Sequence, residues 1–491
     1  MKCFRTCLLT TPPRRMKIML IWPMPAPEVK ILLDRIERAG HEIVYWVGEW
    51  PVSHLSPNGA VFHDHYDAWD ARPAETFAQE AFPPPSAELI ASMYETESLI
   101  LTMMNKRYDK APVDERKHIY YTMLGYWDAV LDRLKPEAII FNDIPHSIYS
   151  NIIHDLAKRR GIPRISFEDT WVALRLLSYG DFWKGSDGLR VAIKRAQKRG
   201  ITLSDLGEEL RSYYVVNTRE KPGTVPTYLM DQKNMAEGAG LARHRAHIAF
   251  SAIRSGLIFR LVLRYVSRLL QKNLRDEYGK LQKPADLQKP FVYFPLSFQP
   301  ERTTSPQGGV YHDQILAVET LACALPPGWR IYVKEHPSQW WVRGKTRYSS
   351  TRYRGYYERI ARISRVTLVP SATSSFELIR RARAIATVTG TAGWEALLQG
   401  KRPLIFGLPW YRDCPGLFVV RSSEECKAAF SELQKNGSVA GSEILAFLKA
   451  LEEMSVRAHI GTPTGESPHI NNEDNMRAIS EAVCVELKGW K

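Results

Sequence analysis

The chain has 491 residues, 44% hydrophobic and 24% charged, which excludes a disordered polymer and exceeds what one compact core organises. Lysine and arginine number 67 against 53 acidic residues, a net charge of +14 that points to an anionic partner: nucleic acid, an acidic membrane surface or charged small molecules. No recognition-helix or RNA-binding signature and no long basic tail is present, so no nucleic-acid partner is expected, and no run reaches the roughly eighteen apolar residues of a membrane span.

The basic start breaks at Thr10-Thr11-Pro12-Pro13 before a signal-peptide core forms, so residues 1–15 are expected to be a disordered extension. Residues 17–22 read as a strand, 27–39 as a helix stopped by Gly40, and 41–47 as a second strand. This is a Rossmann-type opening, but without Gly-x-Gly-x-x-Gly it makes no case for NAD. Residues 49–85, rich in Pro, Trp and His, are expected to be irregular. Residues 86–135 have helical periodicity, with Ile119, Met123, Tyr126, Trp127, Val130, Leu131 and Leu134 on one face. A buried strand at 138–141, the loop Asn142-Asp143-Ile144-Pro145-His146, a helix to Arg160 and a strand at 164–167 form a second βαβ unit.

Residues 170–290 read as helical. Within them 253–275 carries an apolar stripe beside Arg254, Arg260, Arg264 and Arg268, which suits either core packing or an anionic membrane surface. After a charged linker (280–289), strands are expected at 291–296, 330–334, 366–369, 384–389 and 403–406, alternating with helices at 313–324, 353–363, 374–382 and 393–399. The remainder, 422–491, reads as a helical tail. The expected fold is therefore α/β: two Rossmann-like domains, 16–280 with a helical insertion and 290–421, facing a cleft in the glycosyltransferase B manner. Six scattered cysteines show no metal-ligand spacing and suit free thiols in a reducing cytoplasm.

Three strand-to-loop junctions in the second half carry the candidate chemistry, because ligands of open α/β sheets bind at the carboxyl ends of strands. At Gly390-Thr391-Ala392-Gly393-Trp394-Glu395 a helix start offers N–H groups to phosphate, with Glu395 toward ribose hydroxyls; the alternative is a tight turn whose glycines serve packing. At the second junction His336, held by Pro337, suits a leaving phosphate, and Lys334 shares its face at period two. A lone histidine at a strand end is more often structural, but its neighbours here favour a site. At the third, Gln299-Pro300-Glu301 offers an amide and a carboxylate to an acidic sugar or to the interdomain cleft. Ser374 reads first as a helix cap and second as a ligand contact. In the first half Asp143 and the Glu168-Asp169 pair follow strand ends, as base or nucleophile candidates or as turn residues.

Tyr293-Phe294-Pro295-Leu296, Phe298-Gln299-Pro300-Glu301, Lys334-Glu335-His336-Pro337 and Thr389-Gly390-Thr391-Ala392-Gly393-Trp394-Glu395 together resemble the bacterial capsule polysaccharide biosynthesis family, which includes β-Kdo transferases using CMP-Kdo. The resemblance is clearest over 290–410 and looser over 116–169. It implies a single-module glycosyltransferase for surface polysaccharide with an acceptor-side first domain and a nucleotide-sugar-binding second domain. His336 would meet the CMP phosphate, Gln299 would sit beside the donor sugar, and 391–395 would hold the nucleotide. Asp143 is the nucleophile candidate if configuration is retained, and Glu301 joins the catalytic set. The expected partners are a CMP-favoured nucleotide sugar, a saccharide or lipid-linked acceptor, and an anionic membrane surface at the inner face of the cytoplasmic membrane. No metal or other cofactor is expected. The competing readings are a nucleotide-sugar epimerase or hydrolase of the same fold, and a non-catalytic capsule-assembly scaffold.

Overall fold

The computed structural model describes residues 15–218, 274–340, 352–461 and 470–490. The extension 1–14 and most of the amphipathic stretch 253–275 lie outside these residues. The first sheet contains β1 (Lys17–Ile21), β2 (Glu42–Gly48), β3 (Val61–Asp64), β4 (Ala138–Phe141), β5 (Arg164–Asp169) and β6 (Arg175–Tyr179). The second contains β7 (Phe291–Pro295), β8 (Arg330–Lys334), β9 (Val366–Leu368), β10 (Ala384–Thr387), β11 (Leu404–Ile405) and β12 (Phe418–Val419). A last short strand, β13 (Val456–Arg457), returns to the first sheet. The orders are β13-β6-β5-β4-β1-β2-β3 and β12-β11-β10-β7-β8-β9.

β1 through β5 pair in parallel and so do all neighbours of the second sheet, whereas β6 and β13 join antiparallel. The central strands are nearly continuous apolar runs (Ile-Met-Leu-Ile in β1, Ala-Ile-Ile-Phe in β4, Phe-Val-Tyr-Phe in β7) because helices cover both faces. Helix Val29–Arg38 buries Val29, Leu32, Leu33 and Ile36, an i, i+3, i+4, i+7 spacing that places one stripe on the sheet. It stops at Gly40, whose φ of +87° an L side chain rarely adopts.

The first sheet lies between a core with helices Tyr94–Met103, Val113–Leu134 and Ile148–Arg159 and one with Val29–Arg38 and Asn472–Gly489. The second lies between helices Gln314–Ala324, Tyr356–Arg362 and Ser423–Lys435 on one face and Ser375–Arg381 and Thr391–Leu398 on the other. A further apolar cluster joins the two lobes. In it Ile144, Val172, Leu189 and Leu210 meet Trp394, Trp410, Tyr411 and Phe447.

Four departures from the sequence expectations have physical causes. Residues 49–85 contain strand β3, disguised by its polar alternation: buried His63 points inward, between the Tyr45 hydroxyl at 2.7 Å and the Arg72 carbonyl at 3.0 Å. The helical stretch 86–135 is broken between Met103 and Val113, where the Arg116 guanidinium binds the carbonyls of Leu101, Asp109 and Ala111. β6 lies inside a region read as helical, immediately after Trp171, Ala173 and Leu174, all at positive φ. The segment 422–491 is not one tail. Helix Ser423–Lys435 packs on the second lobe, helix Gly441–Met454 on Asp187–Arg199, and helix Asn472–Gly489 on Val29–Arg38.

Candidate active site between the two sheets

Each sheet reverses its winding once. In the first, the chain runs β1, β2, β3 outward and returns through β4 on the other side of β1; in the second, β10 returns on the other side of β7. Open α/β sheets bind ligands outside the carboxyl ends at such reversals. Both reversals here carry polar groups, and the loop after β7 joins them.

At the β1/β4 reversal lies a pocket of about 210 Å³ whose wall includes His65, Trp69, Lys106, Asp143 and His146. Asp143 accepts the Ile144 N–H at 2.8 Å and forms an ion pair with Arg302 from the loop after β7. The His146 Nδ1 lies 2.8 Å from the Ile144 carbonyl and 3.6 Å from Asp143, and Lys106 Nζ donates to the His146 carbonyl at 2.9 Å. Burial lowers Lys106 to about 8, against the pull of Glu301 and Asp143. Burial also holds His146 well below its ordinary value, with Lys106 and Arg302 adding to the effect.

Arg302 gathers the carboxylates of the first lobe. Burial would lower its pKa, yet Asp143, Glu168 and Asp169 together raise it. Glu168 accepts Gln307 Nε2 at 2.6 Å, and the Gln307 amide also reaches the Leu408 carbonyl at 3.0 Å. Asp169 accepts the N–H groups of Ile460 and Gly461 at 3.1 and 2.9 Å. Burial raises both carboxyl groups. The turn after Asp169 holds Trp171, Ala173 and Leu174 in the left-handed region (φ 59°, 46° and 54°), backbone strain of the kind that clusters at working sites.

At the β7/β10 reversal, β8, β7 and β10 lie side by side, so the three junctions read from sequence share one sheet edge, with β8 and β10 about 10 Å apart across β7. Helix Thr391–Leu398 starts there with Gly390 as its N-cap and no side-chain cap. Thr391 Oγ1 donates to Glu395 at 3.1 Å. Glu395 remains open to water although protein surrounds it, and burial raises its pKa while Thr391 and Lys334 oppose the rise. Lys334 Nζ donates to the Thr373 carbonyl at 2.6 Å and to Ser375 Oγ at 2.8 Å; burial lowers it to about 8, and Glu395 acts against that. Half-buried His336 opens the turn Pro337–Trp340, its ring centroid 5.9 Å from that of Phe298. The Thr389 hydroxyl donates to the Thr303 carbonyl at 2.5 Å, tying β10 to the interlobe loop.

Several candidates take different roles from those expected. The Gln299 amide donates to the His312 carbonyl at 2.7 Å and accepts from Gln314 at 3.1 Å and from Arg352, so it shapes the loop. Ser374 keeps the cap role read first from sequence, capping helix Ser375–Arg381 through the Glu377 N–H at 3.3 Å, and it is Ser375 that meets Lys334. Gly393 is needed for packing, since a Cβ would lie 2.3 Å from the Tyr411 hydroxyl. Ala392 is buried against the second sheet. Glu301 lies near Lys106 of the first lobe, with Thr303 Oγ1 at 3.4 Å. Lys106, Arg302 and Ser375 were missed. Arg302 had a signal, as a basic residue in the motif loop beside Glu301; Lys106, in a helix break just after Met103 and Met104, had none.

Two doubly wound lobes whose strand ends meet through Asp143 and Arg302 define the glycosyltransferase B arrangement. Residues 228–442 match the profile of the capsule polysaccharide biosynthesis protein family. No curated protein matches the chain. Among solved structures it is similar to the Thermosulfurimonas dismutans KpsC β-Kdo 2,7 transferase (12% identity, 74% of this chain and 88% of that one, TM-score 0.32). It is also similar to the β-Kdo 2,4 transferase of the same protein (13%, 71% and 87%, 0.29) and to the UDP-GlcNAc 2-epimerase of Neisseria meningitidis (10%, 95% and 99%, 0.25). Among the described residues no helix is long and apolar enough to cross a membrane.

Proposed function

We propose that this chain is a glycosyltransferase of surface polysaccharide assembly. It transfers an acidic sugar, Kdo favoured, from a CMP-activated donor to a saccharide or lipid-linked acceptor at the inner face of the cytoplasmic membrane. The observation that supports this reading is the Asp143–Arg302 ion pair, which ties the loop beside the β1/β4 pocket to the loop after β7.

On the donor side, the N–H groups at Thr391 and Ala392 and the His336 imidazole take the phosphates, with Lys334 adding positive charge behind them. Glu395 and Thr391 take ribose hydroxyls. On the acceptor side, the pocket at 143–146 holds the receiving sugar. In a retaining reaction one carboxylate of the Asp143, Glu168 and Asp169 group attacks the anomeric carbon. Asp169 is favoured over Asp143, whose charge Arg302 already neutralises, and the strained turn behind Asp169 supports that choice.

The test combines binding and turnover. Melting temperature is expected to rise more with CMP than with UDP, GDP or dTDP, because a ligand of the native state stabilises it. Purified protein with CMP-Kdo and a Kdo-terminated glycolipid is expected to yield an extended glycolipid by mass spectrometry. Asp169→Asn is expected to lower that rate on the order of 10³-fold with the CMP shift retained. Absence of any nucleotide shift, or sugar release with no transfer, defeats the proposal.

A further inference from the structure

We propose that His146 is the general base that takes the proton from the acceptor hydroxyl, an assignment that rests on the transferase reading above. The Ile144 carbonyl, 2.8 Å from Nδ1, can only accept a hydrogen bond. Nδ1 therefore carries the proton and Nε2 presents its lone pair. The side chain is 40% exposed and lines the pocket at the β1/β4 reversal, so that lone pair is open to a bound hydroxyl. Its backbone is fixed as well, because Lys106 Nζ holds the His146 carbonyl at 2.9 Å.

The groups facing the ring keep it neutral. Lys106, from the break before helix Val113–Leu134, and Arg302, from the loop after β7, both oppose an imidazolium, and His65 on the same wall does so weakly. Among the described residues Asp143 is the carboxylate paired with the ring, at 3.6 Å, and it is already paired with Arg302. Burial acts in the same direction. A base that is neutral at physiological pH, with fixed tautomer and an open lone pair, suits removal of an alcohol proton as the C–O bond forms.

The step balances as follows. The acceptor O–H bond breaks and its proton moves to Nε2. The oxygen lone pair forms the bond to the anomeric carbon, while the bond from that carbon to the leaving carboxylate or phosphate oxygen breaks with its electron pair. The imidazolium then returns its proton to water.

The experiment uses the full chain and two readouts. His146→Asn keeps an N–H for the Ile144 carbonyl but lacks Nε2, and His146→Gln serves as a second variant should the first fold poorly. With CMP-Kdo as donor, transfer to the saccharide acceptor is expected to fall about 10²- to 10⁴-fold in the variant, with loss of the acid limb of the kcat/KM profile. Transfer to azide, an anion with no proton to remove, is expected to stay within about threefold of wild type, since only proton removal is lost. Near-wild-type transfer with the acid limb intact overturns the proposal, and so does an azide rate that falls in parallel. Independently of any donor, imidazole ¹⁵N spectra are expected to show His146 neutral and protonated at Nδ1 from pH 7 to below pH 6. A charged ring or an Nε2–H tautomer at pH 7 overturns the assignment. If wild type turns over no CMP-Kdo, the donor reading fails, while the spectra still decide for or against His146.

Discussion

The two lobes share one winding reversal between parallel strands and treat that point differently. In the second lobe, the polar groups behind the strand ends are paired with one another. Glu335 and Arg352 form an ion pair with both side chains fully buried, and the guanidinium also binds the Ser297 carbonyl while Tyr357 donates to Glu335. In the first lobe, His65, Lys106, Asp143 and His146 line an open pocket, and Asp143 and Lys106 draw their electrostatic partners from the other lobe. One reversal point is finished before a ligand arrives; the other is completed by the neighbouring lobe.

The strongest way to break this comparison is to disturb the internally paired lobe. Arg352→Met leaves Glu335 as a buried unpaired charge and is expected to destabilise the fold by about 3–5 kcal/mol in urea titration. The double variant Glu335→Met with Arg352→Met is expected to recover a large part of that loss. A single-variant loss below about 1 kcal/mol would mean the pair is not fully desolvated, and the contrast between lobes would disappear.

A second test addresses the start of helix Thr391–Leu398. Gly393→Ala drives a methyl group into the Tyr411 hydroxyl and is expected to cost about 2–3 kcal/mol. Adding Tyr411→Phe removes the colliding atom, and the resulting positive coupling in a double-mutant cycle would identify packing as the reason for this glycine. If the single variant melts like wild type but loses CMP binding, ligand approach is the reason instead.

The smallest expected effect concerns the histidine-rich lobe. His63 is lowered to about 4, chiefly by burial, so its folded pKa lies below the unfolded value of 6.5. Its contribution to stability is complete above pH 6.5 and declines as pH falls toward 4. Between pH 6.5 and 4.5 this amounts to up to about 2 kcal/mol. Thermal melts across that window should steepen for wild type and flatten for His63→Gln; equal slopes would remove the acid sensitivity from this lobe.

Much of this organisation was readable before any coordinates. β8 runs from Arg330 to Lys334 as its apolar pattern indicates, and the alternation from β7 to β11 follows turns marked by Gly, Pro and Ser. Such elements signal themselves through local periodicity. That the His336, Gln299 and Gly390 junctions share one sheet edge is set by the order β8-β7-β10, which periodicity does not reveal. Partnership was harder to read. Gln299 looked free because its partners, His312, Gln314 and Arg352, come from three separate segments. Gly393 resembled a ligand-approach glycine because Tyr411 lies eighteen positions onward with nothing local to indicate contact. Lys106 and Arg302 acquire their role only when a helix break in one lobe meets a loop of the other. β3 and β6 were hidden by inward-facing histidine and by left-handed residues, each of which violates the usual strand pattern.

The return of β13 to the edge of β6, with helix Asn472–Gly489 lying on Val29–Arg38, has a consequence for biogenesis. A ribosome delivers β1 and its first covering helix more than four hundred residues before the helix that shields them. Until that late segment arrives, one face of the nascent first lobe and the edge of β6 stay uncovered. That interval is long enough for misassociation and gives a holding chaperone its window. Removing residues 441–490 should therefore send the early lobe into inclusion bodies, even though every strand around its pocket is still encoded.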